Sequence, residues 1–199
     1  MRVRALLALA VLDLAALPAK AAWPLSAELR MAADAASFAP PDLKRQLAKH
    51  REKLMEGVRD AAAAETGKRD AAAHRAAAVR GAREIAAGIR KRMPFWDVAY
   101  QVGGIVHEIA MATAPVGLTE GAAVEASKRA IFRGFPAEPF ADPEKLVSAP
   151  LPAADARTAW DTAVTLDTRL LAWIWKTAGG DARIVREYPE AKGPYVVRE

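Results

Sequence analysis

The sequence predicts an all-α protein with a single domain. Apolar residues recur every three to four positions through several segments, and proline or glycine separates these segments. No stretch alternates apolar and polar residues in the way that predicts a strand. The segment GGIVHEIAMATAP, residues 103–115, is apolar or small on two sides, which is typical of a helix in the middle of a bundle. We therefore expect a helical bundle around a central buried helix at about 95–114.

Proline and glycine divide the chain into six predicted helices. Pro40-Pro41 ends the first helix, Pro94 ends the third, and Gly179-Gly180 ends the last. We predict helices at about 27–38, 42–58, 68–91, 95–114, 120–132 and 154–178. We predict connections at 59–66, which is rich in alanine, and at 134–152, which is punctuated by proline. The tail, residues 181–199, has no clear periodicity and is predicted to be irregular.

The first 21 residues have the order of a secretory signal. A basic start is followed by an apolar run from Ala5 to Leu17, by Pro18, and by a small-x-small cleavage site that ends at Ala21. The run is shorter than the about 20 residues needed to span a bilayer. The sequence predicts export to the periplasm or the extracellular space, with cleavage after Ala21 and a helical domain over 22–180. A first core helix that is retained is the alternative, favoured by Asp13 within the apolar run.

The composition restricts the chemistry that is available. The chain has no cysteine, which excludes disulfides and thiolate metal sites, and it has three histidines. The formal net charge is +5, and loss of residues 1–21 leaves +3, which does not by itself indicate a nucleic-acid partner.

Basic residues fall on one side of the third predicted helix: Arg80, Arg83 and Arg90. A phosphate group or an anionic lipid could bind there. No aromatic residues lie between the arginines to stack on bases, so we do not predict a nucleic-acid site. We favour the simpler interpretation, a solvated helix face.

Several motifs, taken in chain order, resemble the zinc-dependent phospholipase C superfamily, which includes secreted single-strand nucleases. The predicted mature chain begins near a tryptophan, at Ala22-Trp23. The central helix has His107 eight residues before Pro115, and the next helix carries Glu125. The last helix contains TLDTRLLAWIWKTAGG. The resemblance implies a helical bundle over nearly all of the mature chain, and a parent activity in which zinc activates water for phosphodiester hydrolysis.

The resemblance also implies where metal ligands would lie. In the family, the N-terminal tryptophan supplies its amino group and carbonyl to zinc, the central helix reads H-x-x-x-D-x-x-Q-P, and the next helix reads H-x-x-x-E. The corresponding positions here are Trp23, His107 and Glu125, and His74 falls near a further ligand position.

Most of the family's ligand positions carry other residues in this chain. Met111 stands at the aspartate position of the central helix, and Ala114 at its glutamine position. Glu28 and Gly121 stand where histidines are expected, and the early aspartate ligand has no clean match, since the nearby Asp60 gives too short a spacing. Three histidines cannot surround a cluster of three zinc ions.

We therefore predict an exported protein of this fold with a degraded metal site, little or no phosphodiesterase activity and no bound zinc. His107 is then a ring held by hydrogen bonding within the bundle, Glu125 is a surface carboxylate, and Trp23 is a packing residue. Two alternatives stay open. One is an active phosphoesterase with a single metal ion at His74, His107 and Glu125, and the other is a metal-free binding or scaffold module.

Overall fold

A computed structural model describes residues 22–67, 69–148 and 155–198. Over these residues the chain is mainly helical, which confirms the predicted all-α fold class. The helices are α1 (Leu25–Ser37), α2 (Pro41–Lys49), α3 (Arg51–Ala64), α4 (Ala71–Arg90), α5 (Phe95–Thr113), α6 (Glu120–Ser127), α7 (Pro143–Val147), α8 (Ala156–Thr177) and α9 (Ile184–Glu187). A 3-10 helix (Glu190–Lys192) and two strands, β1 (Ala130–Phe132) and β2 (Tyr195–Arg198), complete the described elements. None of the described helices is both long and apolar enough to cross a membrane.

Helix α5 lies at the centre of the bundle, as predicted. It packs against α3 and α4 along most of its length and also contacts α1, α2 and α8. Its buried side chains are therefore distributed over more than one face: Val98, Ala99, Val102, Ile105, Val106, Ile109 and Ala110. This position accounts for the nearly continuous apolar sequence of the segment, since water reaches little of its surface.

The α3–α5 contact depends on a glycine from each helix. A Cβ atom added at Gly57 would lie 1.9 Å from the backbone oxygen of Tyr100, and one added at Gly103 would lie 2.3 Å from that of Leu54. The two backbones therefore approach closely only because these positions carry no side chain. The neighbouring Gly104 has no heavy atom within 4 Å of an added Cβ, so it makes no such contact.

The predicted helix at 42–58 is two helices. The chain leaves the helical conformation at His50, where φ is −110° and ψ is 32°, and α3 then continues to Ala64 through residues expected to be a connection. The spacing of the buried residues Leu43, Leu47 and Leu54 continues across this break, so the apolar periodicity could not reveal it. The alanine-rich end of α3 stays helical because alanine has the highest helix propensity.

The predicted helix at 120–132 ends at Ser127, and its last residues form β1. Strand β1 pairs with β2, antiparallel, with Phe132 opposite Tyr195. Its other edge is covered by α8, since the Ile131 amide donates to Asp161 Oδ1 at 2.9 Å and the Arg133 amide donates to Thr165 Oγ1 at 3.1 Å. The tail predicted to be irregular therefore contains α9, the 3-10 helix and β2. The proline-punctuated loop likewise contains α7.

The predicted signal segment, residues 1–21, lies outside the described residues. So do Lys68 and Ala154, the positions at which the third and the last helix were predicted to begin. In the structure Asp70 and Asp155 cap α4 and α8, and each accepts a hydrogen bond from an amide in the first turn of its helix.

Candidate functional site

Two buried histidines lie in the middle of the bundle, and each is hydrogen-bonded to a glutamate. The Nδ1 atom of His107, on α5, is 2.8 Å from Glu28 Oε2 on α1. The Nδ1 atom of His74, on α4, is 2.7 Å from Glu108 Oε2 on α5. Adjacent residues of a helix point about 100° apart, so His107 faces α1 while Glu108 faces α4. Both imidazole rings are thus oriented by a carboxylate from a neighbouring helix.

The loop between α3 and α4 adds a third carboxylate and a cation. Glu65 Oε2 lies 3.8 Å from the Nε2 atom of His74 and 3.8 Å from the Nε2 atom of His107. The Arg69 guanidinium donates to Glu65 Oε2 at 2.7 Å and to Glu108 Oε1 at 2.8 Å. We call these six side chains the charged cluster: Glu28, Glu65, Arg69, His74, His107 and Glu108.

Burial and pairing shape the ionisation of the charged cluster. Burial raises the pKa of Glu28 above its ordinary value, the hydrogen bond and charge of His107 oppose this, and the nearby charge of Glu65 adds to it. The pKa of Arg69 is raised by its hydrogen bonds to Glu108 and Glu65, so this side chain stays cationic. The cluster therefore contains a fixed positive charge in contact with two of its three carboxylates.

The Nε2 atoms of His74 and His107 are buried and have no hydrogen-bond partner among the described residues. The 3.8 Å that separates each from Glu65 Oε2 is too long for a hydrogen bond. Buried polar atoms without partners are uncommon and usually mark a place for water or an ion. A pocket of about 380 Å³ opens beside His107 and is lined in part by Glu28, Glu65 and Met111, which leaves ample room for a water molecule or an ion.

The structure brings two of the four predicted metal-site residues together. His74 and His107 face the same oxygen of Glu65, whereas Glu125 lies on the exposed surface of α6 and pairs with Lys128. Trp23 is buried against Trp160, with ring centroids 5.5 Å apart, and it also lines the pocket beside His107. Within the described ranges, no three His, Asp or Glu side chains are arranged as a metal-ligand group.

Four members of the charged cluster were not predicted as site residues from the sequence: Glu28, Glu65, Arg69 and Glu108. Glu28 was noted only because it stands where the resemblance implies a histidine. Glu108 had a visible signal, because it lies beside His107 in an otherwise apolar helix. Glu65 and Arg69 are four residues apart, a spacing that suits an ion pair on a helix, but here both lie in a loop. Their approach to the histidines depends on how the loop crosses the bundle, which local pattern does not encode.

The structure also locates three other positions that were compared with the phospholipase C motifs. Met111 lines the pocket beside His107. Gly121 lies on α6, where an added Cβ atom would have no heavy atom within 4 Å. Asp60 accepts a hydrogen bond from the Tyr100 hydroxyl at 3.1 Å on the surface and does not reach the charged cluster.

The three basic residues of α4 are used largely within the chain. Arg83 forms ion pairs with Asp142 and Glu144 of the α7 region, at 2.8 and 2.6 Å. Arg90 donates to the Thr177 carbonyl at the end of α8, at 2.9 Å. Arg80 alone of the three makes no hydrogen bond or ion pair to the described residues. The three side chains therefore do not present one free anionic-ligand patch.

Comparison of the chain with protein-family models, with curated proteins and with solved structures finds no match. The fold and the site together define an all-α bundle that holds a histidine–carboxylate cluster at its centre. The likeness to zinc-dependent phospholipases C thus rests on the motifs of the sequence alone.

Proposed function

We propose that this chain is an exported, non-catalytic protein of the phospholipase C fold that acts by binding, with an internal ion-pair network in place of a metal centre. The observation that carries the proposal is the Arg69 guanidinium, which donates to both Glu65 and Glu108. A buried group of carboxylates requires a compensating positive charge. In a metalloenzyme the ion supplies that charge, whereas here part of it comes from the protein.

The pairing of the carboxylates supports the same conclusion. Each carboxylate of the charged cluster is hydrogen-bonded to an imidazole or to the guanidinium of the same cluster, at 2.7–2.8 Å. The carboxylates therefore have protein partners without any added ion. The thioether of Met111 beside His107 is consistent with this, because a neutral sulfur would not help to balance a divalent cation.

A second candidate is a site for one divalent ion, and the two unpartnered Nε2 atoms favour it. Histidines that ligate zinc through Nε2 usually donate Nδ1–H to a carboxylate, as the geometry of both pairs here allows. A tetrahedral zinc ion would require about 3.3 Å between a ligand nitrogen and a ligand oxygen. Each Nε2 lies 3.8 Å from Glu65 Oε2, so binding would require a contraction of about 0.5 Å and a weaker Arg69–Glu65 ion pair.

One titration separates the two candidates. Protein purified without chelator is titrated with zinc, and hydrolysis of phosphatidylcholine and of single-stranded DNA is followed in parallel. Our proposal predicts no zinc-dependent rise in Tm and background hydrolysis. His107→Gln and His74→Gln are compared with His50→Gln, which changes the histidine outside the charged cluster.

Zinc binding lost in both cluster variants, and kept in His50→Gln and Glu125→Gln, would establish the single-ion site instead. Zinc-dependent turnover that His107→Gln abolishes would overturn the non-catalytic proposal altogether. Export is tested separately by the intact mass of protein from its native host: a chain beginning at Ala22 or Trp23 supports it, and a chain that retains Met1 contradicts it.

A further inference from the structure

A groove of about 940 Å³ lies between the loop that follows β1 and the C-terminal tail. It is larger than the pocket beside the charged cluster and is formed by other residues. Two backbone hydrogen bonds join its walls, since the Phe135 amide donates to the Tyr188 carbonyl and the Glu190 amide donates to the Phe135 carbonyl, both at 2.8 Å. We call it the tail groove, and these bonds mean that its shape exists before any ligand binds.

The walls of the tail groove are mainly apolar. Phe135 lies at its base and packs on Phe132, with ring centroids 5.0 Å apart. Val185 is buried beside it, whereas Phe140 keeps 38% of its surface exposed at the rim. Prolines and alanines supply much of the remaining lining. A volume of this size falls in the range of about 300–1,000 Å³ that is typical of small-molecule sites.

The tail groove has unpaired positive charges, whereas its negative charges are paired. Its two acidic side chains are already paired, Asp181 with Arg183 at 2.5 Å and Glu190 with Arg169 at 3.0 Å. Two further cations line the groove, Lys176 and Arg186. The side chains of these two residues make no hydrogen bond or ion pair with the described residues. The tail groove therefore combines an apolar floor with two positive charges that have no protein partner, which favours an anion attached to an apolar body.

We propose that the tail groove binds a small amphipathic carboxylate, of which a medium-chain fatty acid is the simplest form. The acyl chain lies against Phe135, Val185 and Phe140, and the carboxylate accepts hydrogen bonds from Lys176 and Arg186. This gives the binding role proposed above a class of ligand, yet it rests on residues outside the charged cluster. Either proposal can therefore fail while the other stands.

Octanoate is the probe ligand, and two comparison ligands each keep one of its parts. 1-Octanol keeps the apolar chain without the charge, and acetate keeps the carboxylate without the chain. Binding to the full chain is measured by calorimetry in chelator-containing buffer, which keeps the result independent of any metal. We expect octanoate to bind more tightly than either comparison ligand, because each of these loses one of the two contributions. Arg186→Gln and Lys176→Gln should each weaken octanoate binding roughly two- to tenfold.

Arg80→Gln is the matched control, since it removes an unpaired cation that does not line the groove, and it should leave the affinity unchanged. Phe140→Ser should weaken octanoate and 1-octanol alike. The Tm of each variant verifies that it is folded, and two-dimensional NMR locates the bound octanoate if any variant is destabilised. No binding at millimolar octanoate, equal affinity for octanoate and 1-octanol, or equal effects of Arg186→Gln and Arg80→Gln would each overturn the proposal.

Discussion

Helix α5 makes two contacts that lie one helical turn apart, one through close backbone packing and the other through charged side chains. At Gly103 the helix meets the backbone of α3 with no side chain between them. At His107 it meets charged side chains from α1 and from the α3–α4 loop, and a pocket opens beside them. The first contact should therefore be sensitive to added volume and insensitive to pH, and the second should show the reverse. The same helix can carry both because each is confined to about one turn.

The largest effect is expected at the glycine contact. Gly103→Ala places a Cβ atom 2.3 Å from the Leu54 carbonyl oxygen, so α3 and α5 must move apart. We expect a loss of about 3 kcal/mol in the free energy of unfolding, at the upper end of ordinary overpacking effects. Gly104→Ala is the adjacent control and should be neutral or stabilising by about 0.5–1 kcal/mol, because it only improves helix propensity. Urea denaturation of both variants makes the comparison, and equal losses would disprove the close-approach interpretation.

A smaller effect that depends on pH is expected at the charged cluster. His107→Gln removes the ring that faces Glu28 and leaves a buried carboxylate with a weaker partner. We expect a cost of about 1–3 kcal/mol at neutral pH. The cost should shrink in acid, where Glu28 takes up a proton more readily because its pKa is raised. Urea denaturation at several pH values tests this, with His50→Gln as the control, and a cost that does not change with pH would contradict it.

The last effect is smallest in acid and concerns a buried carboxyl without such a partner. Asp167, on α8, has no hydrogen bond to the described residues, and burial, with the nearby charge of Glu28, raises its pKa well above the ordinary value. The folded state thus holds this proton more tightly than the unfolded state does. The stability that the proton contributes is complete below pH about 3.9 and declines as pH rises towards the folded-state pKa.

Asp167→Asn should remove this decline, which amounts to at most about 1.4 kcal/mol per pH unit. Asp155→Asn is the control with the opposite sign, because hydrogen bonding to Thr158 lowers the pKa of Asp155 and its contribution is lost as pH falls. Thermal unfolding from acid to neutral pH compares both variants with the wild type. Parallel curves for Asp167→Asn and the wild type would show that Asp167 does not titrate as described.

Whether an element of the fold could be predicted from the sequence depends on whether the contacts that define it are local or distant along the chain. The central helix was predicted within about a residue at each end, because Pro94 and the apolar spacing are both local signals. Strand β1 was not predicted, because residues 130–132 become a strand only by pairing with a tail more than sixty positions away.

The candidate site divides in the same way. His107 stood out as an ionisable ring in an apolar helix, and its burial follows from the position of that helix. Glu65 and Arg69 gave no comparable signal, since the surrounding segment is polar and its path over the histidines is set by tertiary structure. Glu125 was assigned from a motif, and a surface helix places it away from the two histidines.

The pairing of β1 with β2 predicts that the backbone amides of β2 and of α5 differ in their protection against hydrogen exchange. Closing the loop between Phe132 and Tyr195 has an entropic cost that is offset by the strand bonds, a small aromatic cluster and the few contacts that form the tail groove. The amides of β2 should therefore exchange through local detachment of the tail, while those of α5, surrounded by other helices, should exchange only when the whole bundle unfolds. A tail that detaches would also dismantle the tail groove, so a ligand bound there should slow exchange in β2 before it affects any amide of the central helix.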